Sequence, residues 1–153
     1  MVNVAILGFG TVGSGVAEVL AKNAEHIDQK VETPVRLKYI LDVRDFPGSP
    51  FEDKVVHDFS VIENDPTVEI VVETIGGATV ALDYTRRALS AGKSVVSSNK
   101  ELVAEHGYEL LQLAAQKGVS YLFEASVGGG IPILRPLSQC LAANELTEIC
   151  GIL

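Results

Sequence analysis

Val2-Asn3-Val4-Ala5-Ile6-Leu7-Gly8-Phe9-Gly10-Thr11-Val12-Gly13 opens the chain with a short apolar run that passes directly into a glycine loop. Branched residues dominate the run and glycine bounds it, which reads as a strand buried on both faces. Beyond the loop, Val12, Val16, Val19 and Leu20 recur at i, i+4, i+7 and i+8, so they share one face of a helix. A G-x-G-x-x-G spacing alone is a weak signal. Placed between a buried strand and an amphipathic helix, it meets the context that dinucleotide binding requires. Gly8 would permit the tight turn, Gly10 would let the backbone approach a pyrophosphate, and Gly13 would let helix and strand pack closely. The free amides at the helix start would face the anion. Gly8, Phe9, Gly10, Thr11, Val12 and Gly13 are therefore candidate cofactor-binding residues, with a ligand-free structural turn as the alternative.

Working outward, the helix is expected to fray near Lys22–Ala24, and Pro34 precludes helix just before a second strand, Val35–Leu41. Residues Asp45–Asp58 carry two prolines and a glycine and read as a loop. Ser60-Val61-Ile62-Glu63 fits a capping box that opens a short helix ended by Asp65-Pro66. Strands are expected at Val68–Glu73, Lys93–Ser97 and Val119–Phe123, and helices at Thr79–Ala91 and Glu101–Lys117, closed by Gly92 and Gly118. Pro132–Ala143 reads as a helix with prolines only in its first turn, and Leu146–Leu153 as the start of one more strand. Strands alternate with helices across short connections. The fold class is α/β, a Rossmann-type doubly wound, mainly parallel sheet with helices on both faces. Residues 1–143 would form this domain and 144–153 would begin a further one, an apolar strand being an unusual place for a domain to stop.

The 153 residues are 47% hydrophobic and 21% charged, as in ordinary globular domains. Twenty acidic residues against 12 basic give a net charge of −8. That balance opposes nucleic acid and anionic membranes as partners through any broad basic face, and leaves room for a small anionic ligand. No stretch of about 18 apolar residues suggests a membrane span, and the absence of a basic leader argues against a signal peptide. Cys140 and Cys150 form no CxxC pair, and the expected location is cytoplasmic. Both cysteines are expected to be inert core. His26, His57 and His106 show no metal-ligand spacing and read as surface residues.

In open α/β sheets, ligands sit beyond the carboxyl ends of the strands, so the residues there deserve chemical roles. Asp42 stands where a carboxylate would accept hydrogen bonds from adenosine ribose hydroxyls and favour NAD. Arg44 would instead pair with a 2′-phosphate and favour NADP, with dual use left open. Solvated loop charges are the plain alternative for both. Thr74 and Ile75, followed by Gly76-Gly77, would pass close to the cofactor's ribose and phosphate. Ser98 and Lys100 lie beyond the next strand; Lys100 at this end would hydrogen-bond a substrate oxygen and help move the proton that accompanies hydride transfer, with a solvated charge as the alternative. Glu124 would bind a cation or substrate, or cap neighbouring amides. Gly128-Gly129-Gly130 suggest close backbone approach to a bulky group, or a hinge.

Four stretches together resemble homoserine dehydrogenase: Ile6–Gly13, Glu73-Thr74-Ile75-Gly76-Gly77, Ser98-Asn99-Lys100-Glu101-Leu102-Val103-Ala104, and Glu124-Ala125-Ser126-Val127-Gly128-Gly129-Gly130-Ile131-Pro132-Ile133. The resemblance covers essentially the whole chain and matches the cofactor-binding part of that family. It implies reversible, NAD- or NADP-dependent reduction of L-aspartate 4-semialdehyde to L-homoserine, on the route to threonine, methionine and isoleucine. It further implies that Lys100 lies near substrate and cofactor. A sodium-like cation would lie beside Glu124, Val127, Gly129 and Ile131, held largely through backbone carbonyls. The substrate residues and the dimer contacts of a homodimer or larger assembly would lie beyond Leu153, leaving this chain able to bind cofactor with little turnover.

Two other readings stand beside this one. Sugar- or inositol-type dehydrogenases also carry a glycine-lysine turn, an apolar strand and a lysine, much like Gly92-Lys93 through Lys100. Their lysine usually precedes proline, whereas Glu101 follows here. A non-catalytic dinucleotide-sensing module would have no reason for the loops at Lys100 and Glu124. An aspartate-semialdehyde dehydrogenase would need a loop cysteine, which neither Cys140 nor Cys150 is expected to be.

Overall fold

In the computed structural model, which describes residues 1–141 and 143–151, the opening run Val2–Leu7 forms strand β1 within a six-stranded sheet. The other strands are β2 (Val35–Leu41), β3 (Val55–Val56), β4 (Val68–Glu73), β5 (Ser94–Ser97) and β6 (Tyr121–Leu122). All neighbouring pairs are parallel, in the order β3-β2-β1-β4-β5-β6. The helices are α1 (Thr11–Lys22), α2 (Ala24–Asp28), α3 (Phe59–Glu63), α4 (Thr79–Ser90), α5 (Lys100–Lys117) and α6 (Leu134–Cys140). The chain steps from β1 out to β3, then returns to place β4 on the other side of β1. That reversal opens a crevice at the carboxyl ends of β1 and β4, the usual ligand position in such sheets. This is the Rossmann-type α/β fold expected from the sequence.

Side chains alternate across the strands and build two cores. Ala5 and Leu7 join Val71, Val95, Leu89 and Leu102 in one, whereas Ile6 joins Ala17 and Ile40 in the other. Helices α3, α4 and α5 cover the first and α1 covers the second, so β1 is buried on both faces. Its continuous apolar run follows from that position. Each fully buried Ile or Leu contributes about 1.5–3 kcal/mol relative to exposure, so the carboxyl ends of β1 and β4 are rigid supports for their loops.

Several sequence expectations are corrected. The interval Asp45–Asp58 contains a 3-10 turn (Glu52–Lys54) and β3, whose two residues pair with Ile40 and Leu41. Two apolar residues after a proline-rich stretch carry too little periodicity to announce a strand. The N-cap of α3 is Asp58, whose side chain accepts from the Ser60 amide at 2.8 Å; Ser60 already lies inside the helix. The expected strand Val119–Phe123 is only Tyr121–Leu122, and the expected helix Pro132–Ala143 only Leu134–Cys140. Leu146 to Gly151 adopt no regular structure, while Ile152 and Leu153 lie outside the described residues. Cys140 and Cys150 are exposed rather than core.

Candidate functional site

The glycine loop is shaped by contacts that leave no room for side chains at two of its glycines. A Cβ on Gly13 would lie 1.9 Å from the Gly8 carbonyl oxygen and 2.9 Å from Thr74 Oγ1. Gly8 takes φ +89°, a left-handed conformation that favours glycine. A Cβ on Gly10, by contrast, would meet nothing in the protein. Packing does not explain that glycine, whereas close approach of a ligand backbone would. Gly10 is also the N-cap of α1 and supplies no side chain, so no cap competes for the first-turn amides.

Phe9 and Thr74 hold the loop in place. Phe9 buries its ring against Phe46 and Phe51, at centroid separations of 4.9 and 6.1 Å, and its amide donates to Asp42 Oδ2 at 2.8 Å. The single Thr74 Oγ1 proton is shared between the Leu7 and Gly8 carbonyls, both 2.9 Å away. The Thr74 hydroxyl ties the β4 loop, expected to pass close to the cofactor's ribose and phosphate, to the glycine loop. Thr11 and Val12, at the exposed start of α1, remain open to a ligand.

Asp42 and Arg44 meet at the end of β2. The Arg44 guanidinium donates to Asp42 Oδ1 and Oδ2 at 3.0 and 3.1 Å and stacks over Phe46. Arg44 chiefly, with the Phe9 and Arg44 amides, holds the Asp42 carboxyl down at about 2 against a desolvation that opposes it. His57, read from the sequence as an ordinary surface residue, belongs to this corner. Its Nδ1 donates to the Asp42 carbonyl at 2.7 Å, and its Nε2 lies 3.0 Å from Asp45 Oδ1. The Asp42 carbonyl first, then Asp45, raises the His57 pKa above its ordinary value. Asp42, Val43, His57, Ile75, Val80 and Tyr84 line a cavity of about 280 Å³. Its mix of apolar walls and a charged rim suits the adenosine end of a dinucleotide. Only the parallel pairing of β3 brings His57 here, and that pairing has no clear sequence signature.

Lys100 is the first residue of α5, exposed, beside the half-buried Ser98. Its ammonium has no hydrogen-bond or ion-pair partner among the described residues. A cation at a helix N-terminus is electrostatically disfavoured, so local stability does not account for it. Behind it lies a polar cluster that sequence reasoning passed over. The Glu73 carboxylate, fully buried at the end of β4, accepts from Ser97 Oγ at 2.5 Å and from the Ile75 amide at 2.7 Å. Ser97 Oγ accepts the Asn99 amide at 3.1 Å. Asn99 caps α5 through Leu102 and donates to the carbonyls of Ile75 and Gly77 at 3.0 and 2.7 Å. The only hint in the sequence was an acidic residue ending a strand whose last three preceding residues, Ile70-Val71-Val72, are apolar.

Glu124 realises the capping alternative. Its carboxylate accepts the amides of Ile133, Leu134 and Arg135 at 2.6, 2.8 and 2.8 Å. These amides lower its pKa below the ordinary value. Oε1 takes two of the donors and Oε2 one, so Oε2 keeps an acceptor position. The carbonyls of Val127, Gly129 and Ile131 follow in the same loop, and carbonyl and carboxylate oxygens of low total charge suit a hard monovalent cation in chemistry. Among the described residues, no group of three or more His, Cys, Asp or Glu side chains is placed to hold a metal. A cation there would depend on backbone oxygens.

The family model described as homoserine dehydrogenase, NAD binding domain, matches residues 8–124. A homoserine dehydrogenase of Bacillus subtilis is 40% identical over 156 residues, covering 99% of this chain and 36% of that protein. The crystal structure of a homoserine dehydrogenase from Thiobacillus denitrificans superposes with a TM-score of 0.84 at 37% identity, covering 94% of this chain and 34% of that one. A hyperthermophilic archaeal homoserine dehydrogenase solved in complex with NADPH gives a TM-score of 0.71 at 25% identity, covering 89% of this chain and 47% of that one. The chain thus spans about a third of the length of the curated relatives it matches. Fold, glycine loop and sequence likeness agree: the chain belongs to the family of homoserine dehydrogenase NAD-binding domains.

Proposed function

We propose that this chain is the cofactor-holding part of a homoserine dehydrogenase, which reversibly reduces L-aspartate 4-semialdehyde to L-homoserine with NADPH preferred over NADH. The observation that carries this reading is the convergence of the glycine loop, the Asp42–Arg44 corner and Lys100 on the carboxyl end of one sheet. The pyrophosphate would lie on the α1 amides, next to Gly10. The adenosine would occupy the cavity between Val43 and Val80, with Arg44 turning from Asp42 to a 2′-phosphate. The archaeal relative solved with NADPH supports that preference.

The bound cofactor supplies the hydride that the carbonyl carbon accepts. Lys100 donates a hydrogen bond to the carbonyl oxygen, stabilises the alkoxide that develops there and delivers its proton. Glu124, with the carbonyls of Val127, Gly129 and Ile131, would hold a sodium ion that stiffens the loop beside the substrate. The remaining substrate contacts, and those of a homodimer or larger assembly, would come from the portion that the relatives carry beyond this match. The chain alone would then bind cofactor with little turnover. No helix among the described residues is long and apolar enough to cross a membrane, and a cytoplasmic location fits the proposed reaction.

The test is a homoserine-dependent NADP reduction assay on an enzyme in which this chain is continued by the C-terminal portion of its relatives. Lys100→Ala should cut kcat by about 100-fold or more while leaving NADPH affinity within about twofold. An unchanged kcat would remove Lys100 from the chemistry. Activity on a sugar alcohol but not on homoserine would move the chain to a different dehydrogenase reaction.

A further inference from the structure

Glu73 is fully buried at the carboxyl end of β4, on the same side of the sheet as Val71. Its partners are neutral: the Ser97 hydroxyl and the Ile75 amide. Among the described residues, no arginine or lysine pairs with it. The Tyr121 hydroxyl is also buried there, with no hydrogen-bond partner among the described residues. Burial, with Glu73 adding to it, pushes that hydroxyl up to about 12, and burial likewise raises Glu73 above the usual carboxylate range. An unpaired buried carboxylate costs stability, and an apolar residue of similar volume is commonly as stable or more so. Desolvation of the carboxylate thus offsets much of what its two hydrogen bonds contribute to stability.

What Glu73 does gain is a link between two loops. Through the Ile75 amide it fixes the turn that follows β4. Through Ser97 Oγ, which accepts the Asn99 amide, it fixes the turn that follows β5. Asn99 closes the link by donating to Ile75 and Gly77 while capping the first turn of α5, which Lys100 begins.

We propose that Glu73 is a positioning residue: its buried carboxylate clamps the turns after β4 and β5 together, so that Lys100 stands at a fixed point beside the cofactor. This rests on the role of Lys100 proposed above. A displacement of about 1 Å at a reacting group costs up to about 100-fold in rate. Losing the clamp should lower kcat without loosening the fold.

The experiment compares Glu73→Leu, Glu73→Gln and Ser97→Ala, each alone and combined with Lys100→Ala, in the enzyme that contains this chain. Expected for Glu73→Leu is a melting temperature within a few degrees of the parent's, because relief of carboxylate burial offsets the two lost hydrogen bonds, and a kcat lower by about 10- to 100-fold. Glu73→Gln keeps an acceptor for the Ile75 amide and a polar partner for Ser97, and should recover much of that loss. Combined with Lys100→Ala, the Glu73 substitutions should cost less than about twofold further, because they act through that lysine. If Glu73→Leu does not fold, Glu73→Gln and Ser97→Ala carry the same comparison at smaller effect. An unchanged kcat, a melting temperature that falls in step with activity, or an equal loss in the Lys100→Ala background would each overturn the proposal. If Lys100→Ala alone leaves kcat unchanged, the failure lies in the lysine's assigned role rather than in the clamp.

Discussion

Replacing Thr74 by valine keeps the shape of the side chain and removes the hydroxyl that joins the β4 loop to the glycine loop. Its one proton is shared between two carbonyls at 2.9 Å, those of Leu7 and Gly8. The Leu7 carbonyl keeps the Thr74 amide as a partner, whereas the Gly8 carbonyl is left with none among the described residues. One partly buried hydrogen bond is worth about 0.5–1.5 kcal/mol, and an orphaned acceptor costs about 1–3 kcal/mol if fully buried. The site is only part-buried, so the net loss should be about 1–2 kcal/mol. For a domain of this size that lowers the melting temperature by about 2–8 °C. A methyl group also stands too close to a carbonyl oxygen at 2.9 Å, so the glycine loop must shift by a few tenths of an ångström. NADPH affinity should fall about three- to tenfold, a modest effect because the first-turn amides of α1 remain. Thr74→Ser retains the donor and should keep affinity within about twofold. The assay is thermal unfolding by circular dichroism, paired with NADPH titration by fluorescence. Parent-like melting and affinity in Thr74→Val would refute the tie between these loops.

Two further predictions follow from the corner at β2. Arg44→Ala should weaken NADPH at least about fivefold more than NADH, since only the 2′-phosphate needs the guanidinium; part of the gain from that contact is offset by breaking the exposed pair with Asp42. Equal losses for the two cofactors, measured by calorimetry, would show Arg44 to be a solvated partner of Asp42. His57 has a raised pKa in the folded chain. Its contribution to stability is therefore fully present below about 6.5, the unfolded value, and is lost as pH rises through the folded value. His57→Gln should lower the melting temperature at pH 5.5 and leave it nearly unchanged at pH 8.5; a uniform shift across that range would contradict the ion pair with Asp45.

The strong elements were legible because burial and periodicity coincide in them. The run Val2–Leu7 is apolar throughout because it is covered on both faces, and α5 ends at Gly118, whose left-handed conformation closes the helix as glycine does elsewhere. The glycine loop was legible because Gly8 and Gly13 answer local steric demands and the spacing places Gly10 between them. What escaped were features set by distant parts of the chain. Strand β3 is two residues long and exists only through its pairing with Ile40 and Leu41, so His57 went unnoticed beside Asp42. Glu73 was quoted within a motif without a role, because a strand-end carboxylate looks solvated until Ser97 and Asn99 fold over it. The capping of α6 by Glu124 spans a loop of glycines and could be named beforehand only as one option among several.

The most direct test is titration of the 153-residue chain with NADPH, with NADH as the comparison and folding verified by circular dichroism. Saturable binding of one NADPH per chain, tighter than NADH, is the expected result. A folded chain that binds neither cofactor would show that the glycine loop is a structural turn, and would contradict the site built around it.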